Sequence, residues 1–242
     1  MRSSRSAPDP RGLDPLWPGP AGFAHRGLHG GPLPENSLLA FAATLEADVG
    51  IECDLRLTAD GHILVFHDAD CRRMCNSPMR IGTSSLADLG RLNVGGHPIP
   101  TLESLFLLVG GRVPLLLEVK VDGDLWRWIP ALKAGLADYR GPFAVMSFEP
   151  RLLRLVKTNL PHVRRGLLLR ADVKAVQRWM AIWLADPHFI GMDVKGIDQS
   201  WLRRARRRRP IYCWTVKTAE QRAQAEVQAD ALIWEGNGRP GI

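Results

Sequence analysis

Apolar positions along this chain fall into short β-rich runs separated by longer stretches of helical spacing. The runs are GFAH near residue 22, VGIECDLRLT at 49–58, HILVFHD at 62–68 and VPLLLEVK at 113–120. FAVMSF (143–148), RRGLLL (164–169), HFIGMDV (188–194), PIYCWTV (210–216) and ALIWEG (231–236) follow. Between them, NSLLAFAATLEAD (36–48) offers an Asn or Ser cap and apolar positions at Leu38, Phe41, Ala42 and Leu45, the period of a helix. TLESLFLLVG (101–110) starts on Thr101 without a capping box, because Ser104 stands where Glu would close it, and stops at Gly110-Gly111. Further helices are predicted over 122–139, 149–160, 171–186, 199–209 and 218–230. With HILVFHD taken as a hairpin partner of the second run, eight strands alternate with seven helices. That alternation predicts an α/β chain with a parallel eight-stranded sheet closed into a (β/α)8 TIM barrel. An open doubly wound sheet fits less well, since HRGLHGG after the first strand is not G-x-G-x-x-G.

Side chains alternate faces along a strand. In IECDLRL, Glu52, Asp54 and Arg56 share one face, and Ile51, Cys53, Leu55 and Leu57 share the other. The apolar face belongs against helices, so the charged face points into the barrel. LLLEVK repeats the pattern, with Glu118 and Lys120 inward. His25-Arg26 ends the first strand and His67-Asp68 ends the hairpin, where a barrel builds its active site. Three inward carboxylates are costly to bury without a cation. A hard divalent ion, Mg2+ or Ca2+, would relieve them. The structural alternative pairs Glu52 with Arg56 or Arg26, and Glu118 with Lys120. Two strand-end histidines add a base and an acid, and Arg26 with Lys120 suits a phosphate.

The apolar fraction of 45% is ordinary for a globular domain with a sizeable core. No apolar run reaches membrane-spanning or signal-peptide length, so a cytoplasmic location is expected. Residues 1–20 read as a proline-rich lead-in of low order, followed by one domain over 21–242. Cys71-x3-Cys75 offers too few ligands for zinc. The net charge of +7 is concentrated in RRARRRRP, residues 203–210. That run reads as a solvated helix end. A basic barrel that binds nucleic acid or anionic lipid is the non-enzymatic alternative.

The blocks AHRG, PENS, GIECDLRLTADG and HD, followed in order by IPTLESLF, LLLEVK, VMSFEPRLLRLVK and CWTV, resemble the glycerophosphodiester phosphodiesterase family from Ala24 to Trp214. The resemblance implies a TIM barrel that hydrolyses glycerophosphodiesters to sn-glycerol 3-phosphate and an alcohol. It implies Glu52, Asp54 and Glu118 as metal ligands, His25 and His67 as the acid/base pair, and Arg26 and Lys120 as phosphate-binding groups. Trp214 would line the glycerol side of the pocket, or serve as a core aromatic of its strand. A lysophospholipase D-like activity on longer lipids is the enzymatic alternative. The expected partner is a small-molecule diester; nothing calls for nucleic acid, and contact with a membrane surface is open but not implied. Gly27, Gly30 and Gly31 are expected to let the loop pass close to the phosphate, and Asn36 to cap the first helix. Glu35 is placed either to touch the site or simply to favour the N-terminus of the first helix, and Asp60 reads as turn chemistry. IWEGNGRPGI lacks the Asp of the family's closing block, and too few residues follow it for a complete eighth helix.

Overall fold

The computed structural model describes residue 14 and residues 16–240. Eight strands form a closed barrel: β1 Phe23–His25, β2 Gly50–Leu57, β3 Leu115–Val119, β4 Phe143–Ser147, β5 Arg164–Leu169, β6 Phe189–Asp193, β7 Ile211–Val216 and β8 Ala231–Trp234. Neighbours pair in parallel all the way round, and β1 closes the ring by pairing with both β2 and β8. Ile63–Val65 lies antiparallel on the outer half of β2, as the hairpin reading expects. It is shorter than the predicted 62–68, and His67 lies beyond its end.

Seven helices join the barrel strands: α1 Leu38–Glu46, α2 Leu102–Val109, α3 Trp128–Gly135, α4 Pro150–Asn159, α5 Ala175–Ala185, α6 Trp201–Arg206 and α7 Ala219–Gln228. The cap of α1 is Ser37, whose hydroxyl accepts from the Ala40 N–H. Asn36 precedes it at φ 54° and has a different task, described below. Thr101 caps α2, and Gly110 ends it in the left-handed conformation. After β8 the described residues form only a short 3-10 turn, Gly236–Gly238.

The strand alternation becomes two kinds of core. Ile51, Cys53, Leu55 and Leu57 face outward onto Phe41 and Leu45 of α1 and Leu102 and Leu105 of α2. Inside the barrel, Phe23, Leu116, Met146, Phe189 and Tyr212 fill the N-terminal end. Gly166 makes room there, because a Cβ would lie 2.2 Å from the Phe189 ring. Leu16 is buried in this same cluster, so part of the N-terminal lead-in closes the barrel floor. The rest of the lead-in, residues 1–13 and 15, lies outside the described residues. With the floor packed by apolar groups, the charged face of β2 is left to the opposite, C-terminal end.

Among the described residues no helix is long and apolar enough to cross a membrane. All four cysteines are free, and the helical turn Arg72–Cys75 carries no metal-ligating cluster. Helix α6 ends at Arg206, short of the predicted 209. Arg206 turns back onto Asp230 and the Val227 and Ala229 carbonyls. Arg203, Arg204, Arg207 and Arg208 are exposed, as expected for a solvated helix end.

Candidate active site

Parallel register brings the acidic residues together. His25 of β1 sits opposite Glu52, and Asp54 of β2 sits opposite Glu118 of β3. Glu52, Asp54 and Glu118 are all buried, and one carboxylate oxygen from each lies within 4.8 Å of the others. Lys120 Nζ bridges Asp54 Oδ1 at 3.0 Å and Glu118 Oε1 at 2.5 Å. Arg26 Nε lies 3.1 Å from Asp54 Oδ2. Among the described residues, no Lys or Arg side chain pairs with Glu52 in this way. Its Oε2 accepts the Arg26 backbone N–H at 3.1 Å, and its Oε1 has no hydrogen-bond partner. The pairing alternative therefore holds for Glu118–Lys120 and fails for Glu52.

The electrostatics follow from this unequal pairing. Burial, then repulsion from Asp54 and Glu118, pushes the Glu52 carboxyl well above its ordinary range. Burial and Asp54 raise Glu118 to about 7. Burial would also raise Asp54, but Lys120 and Arg26 outweigh it and hold that carboxyl well below the usual range. A buried oxygen without a donor, two strained carboxyls and an all-oxygen donor set fit a hard divalent cation. A second cluster, His25, His29 and Glu235, is equally compact. Its carboxylate is already engaged by His25 at 2.7 Å and by Lys217 at 2.6 Å.

Each histidine is held by a carboxylate through Nδ1. His25 Nδ1 is 2.7 Å from Glu235 Oε2, and His67 Nδ1 is 2.7 Å from Asp68 Oδ1. Asp68 is fixed in turn by Arg73, whose Nε donates to it at 2.6 Å. Nε2 of each ring is left for other work, and His25 Nε2 lies 4.0 Å from Glu52. Burial lowers the pKa of both imidazoles, against the pull of Glu235 on His25 and of Asp54 and Asp68 on His67.

Around this centre the chain supplies further supports. Asn36 Nδ2 donates to Asp54 Oδ2 at 2.8 Å, and its Oδ1 accepts the Asp54 N–H at 3.2 Å. Asn36 is thus a holder of Asp54 rather than a helix cap. Glu35 reaches the site rather than acting only at the helix N-terminus, pairing with Arg26 at 2.8 Å and with Arg73 at 2.6 Å. Arg56, inward on β2, clamps the His67 carbonyl with two N–H groups and pairs with Asp122. Asp60 accepts from Thr58 and from the Leu86 N–H, a turn role. Gly27 serves the packing of the loop on α1, since a Cβ there would meet the Phe41 ring at 2.9 Å. Gly30 and Gly31 take positive φ with open space beside them, so their role is in the turn.

His25, Arg26, His67, Glu118 and Lys120 line one side of a cleft of about 1090 Å³. Leu169, Val173, Ala181, Val194 and Trp214 line the other. Trp214 meets Phe148 edge to face at 5.2 Å and also borders the interior core. Glu235 is the residue that sequence reasoning missed. Its available signal was its place directly after the last strand, which closure sets beside β1.

A parallel barrel whose C-terminal end gathers three buried carboxylates, two basic side chains and two carboxylate-held imidazoles defines a class: hydrolytic barrels that act on a phosphate ester. Within that class, residues 25–235 match the model of the glycerophosphoryl diester phosphodiesterase family, and the chain belongs to that family. A glycerophosphodiester phosphodiesterase of Caldanaerobacter subterraneus is 32% identical over 172 residues, covering 65% of this chain and 69% of that protein. One from Bacillus subtilis is 26% identical over 211 residues, covering 76% and 71%. An Oleispira antarctica phosphodiesterase, solved in complex with its product sn-glycerol-3-phosphate, superposes with a TM-score of 0.77 over 88% of this chain and 91% of its own. At 22% identity that likeness speaks for the fold alone.

Proposed function

We propose that this protein hydrolyses glycerophosphodiesters to sn-glycerol 3-phosphate and an alcohol, with a divalent cation held by Glu52, Asp54 and Glu118. The observation that carries the reading is the buried Glu52 carboxylate, which has an oxygen without a donor beside two further acids at a cleft lined by Arg26 and Lys120. Bound there, Mg2+ or Ca2+ would supply Lewis-acid withdrawal of charge from a non-bridging phosphoryl oxygen.

The chain's own groups do the rest. Arg26 and Lys120 present positive charge to the phosphoryl oxygens and compensate the charge that builds up at phosphorus. The attacking hydroxyl, from the glycerol 2-position or from water, gives its proton to Nε2 of one histidine as the new O–P bond forms. The bond to the leaving alcohol breaks, and that oxygen takes a proton from the other histidine; where the glycerol 2-hydroxyl has attacked, water then opens the resulting cyclic phosphate to glycerol 3-phosphate, the two histidines exchanging roles. Glu235 and Asp68 hold the Nδ1 proton of each ring, so the base starts with Nε2 free to accept and the acid starts as the imidazolium, with a second proton on Nε2 to give. Trp214 and Phe148 give the glycerol face an apolar wall.

A second reading, attack on the headgroup bond of a longer lysophospholipid, is favoured by the apolar continuation of the cleft along Leu169, Val173, Ala181 and Val194. Release of glycerol 3-phosphate from glycerophosphocholine and glycerophosphoethanolamine, and of lysophosphatidic acid from a lysophospholipid, with and without EDTA, tests both. Hydrolysis of the small diesters that EDTA abolishes is the expected result. Full activity in excess chelator would overturn the role given to the three carboxylates. Release from the lysophospholipid alone would overturn the choice of substrate.

A further inference from the structure

Helix α5 has apolar groups on two opposite sides. Its inner side packs Ala181, Ile182 and Ala185 against the barrel. Its outer side carries Val176, Trp179, Met180 and Trp183, at the i, i+3, i+4, i+7 spacing of a continuous stripe. These four side chains are 70%, 66%, 55% and 68% exposed, so the fold makes no use of them. A helix apolar round most of its circumference is normally buried on all sides. Contiguous exposed apolar surface of this size marks an interaction site.

The charge around the stripe selects the partner. Residues 149–209, which hold α4, α5 and α6, contain fifteen Lys and Arg against five Asp and Glu, a net of +10. The whole chain is +7, so the remainder nets −3. Lys174 on the first turn side of α5, Arg154 on the adjacent α4, and Arg203 and Arg204 on α6 carry no carboxylate partner among the described residues. Arg178, on the inner side of α5, stacks over Trp201 at 4.2 Å, so α6 lies beside α5 and its exposed cations flank the helix that carries the stripe. Nucleic acid would use the cations and leave two exposed tryptophans without a role. A second copy of the chain would meet the same excess of positive charge. A bilayer with anionic headgroups satisfies both features, because tryptophan settles at the headgroup level and Lys and Arg reach the lipid phosphates.

We infer that the outer face of α5, flanked by the cations of α4 and α6, docks this protein on anionic membrane surfaces. Gln177 and Ala181, away from the stripe on the same helix, line the cleft, so docking face and cleft share one element. The inference concerns binding and stands independently of which diester is cleaved.

Co-sedimentation with sucrose-loaded vesicles tests it, using phosphatidylcholine alone and phosphatidylcholine mixed with phosphatidylglycerol. The full chain is expected to pellet with the anionic vesicles, to stay in solution with the neutral ones, and to be released by salt. Trp179→Ser with Trp183→Ser should lower the partition coefficient at least about tenfold, since it removes the apolar anchor and keeps every charge. Both positions are exposed, so the melting temperature and the hydrolysis of glycerophosphocholine should match the parent. Equal pelleting with and without phosphatidylglycerol, or undiminished binding by the double serine variant, would overturn the inference. So would a dimer in solution that the variant dissociates, or retention on duplex DNA in preference to the vesicles.

Discussion

Glu235 grips His25 across 210 positions of sequence, with Oε2 2.7 Å from Nδ1. The contact exists because β8 closes onto β1, with Ala24 in register with Trp234. The same carboxylate holds Lys217 at 2.6 Å, and the His25 bond heads the causes that keep its pKa well below the ordinary range.

Glu235→Gln keeps a hydrogen-bonding side chain and removes the charge. We expect kcat to fall about tenfold to a hundredfold with little change in KM, because the imidazole loses its orienting anion. Burial already depresses the His25 pKa, and Glu235 opposes it. Loss of that opposition lowers the pKa further, so the acid limb of the pH–rate profile should move to lower pH. A profile that coincides with the parent's would dismiss the role given to Glu235.

His67 is half-exposed at the cleft mouth, and its side chain supports no core packing. His67→Ala should therefore cost roughly 10²–10⁴-fold in kcat while leaving the melting temperature nearly unchanged. Turnover within a few-fold of the parent would exclude the ring from proton transfer.

Glu52→Gln removes the most strongly raised carboxyl of the cluster. In the parent, Mg2+ or Ca2+ at a hundredfold excess over Kd should add about 2.7 kcal/mol, read as a rise in melting temperature that EDTA reverses. The Gln variant should show no rise. In EDTA it should melt at or above the parent, since one like charge has gone. A parent protein whose melting ignores both cations would sink the assignment.

Asn36→Ala loses both hydrogen bonds to Asp54 and places Ala at a positive φ. The cost should be about 2–3 kcal/mol in urea unfolding, accompanied by a loss of activity. Wild-type stability would show that Asp54 finds other donors.

Arg73 pairs with Asp68 and Glu35. Burial opposes both shifts, yet the Arg73 hydrogen bonds carry Asp68 down to about 2 and Glu35 below its usual range. Depressed carboxyls stabilise the fold above their ordinary pKa, and that stability is lost as pH falls toward about 2. Arg73 is 47% exposed, so solvent screening limits the effect to about 1 kcal/mol. Arg73→Gln should lower the melting temperature at pH 6 and lose that deficit by pH 2. A deficit independent of pH would point to packing instead.

The strand count, the hairpin and the inward acids were legible because period-two alternation in IECDLRL and LLLEVK states which face each residue takes. What escaped depends on closure and on loops. Glu235 was read only as a departure from the family's closing block, since nothing local says that a residue after the last strand touches the first. Asn36 looked like a cap because Asn and Ser both favour that position; its positive φ, which hands the cap to Ser37, has no local signature. The glycines of HRGLHGG were read toward a ligand, yet Gly27 is set by the Phe41 ring. Leu16 gave no periodic signal, being a lone apolar residue among prolines.

The groups proposed to act on the phosphate, His25, Arg26, Glu52, Asp54, His67, Glu118 and Lys120, all come from residues 25–120, on or beside β1, β2, the hairpin and β3. The opposite wall of the cleft, from Phe148 to Lys217, comes from the strands and helices that follow. On the proposed function, bond-breaking and choice of alcohol are thus written in consecutive stretches of the gene. Substitutions in the later stretch that spare Lys217 and Glu235 can retune which headgroup is accepted without disturbing the reactive centre, which leaves this scaffold free to diversify in substrate range while its chemistry stays fixed.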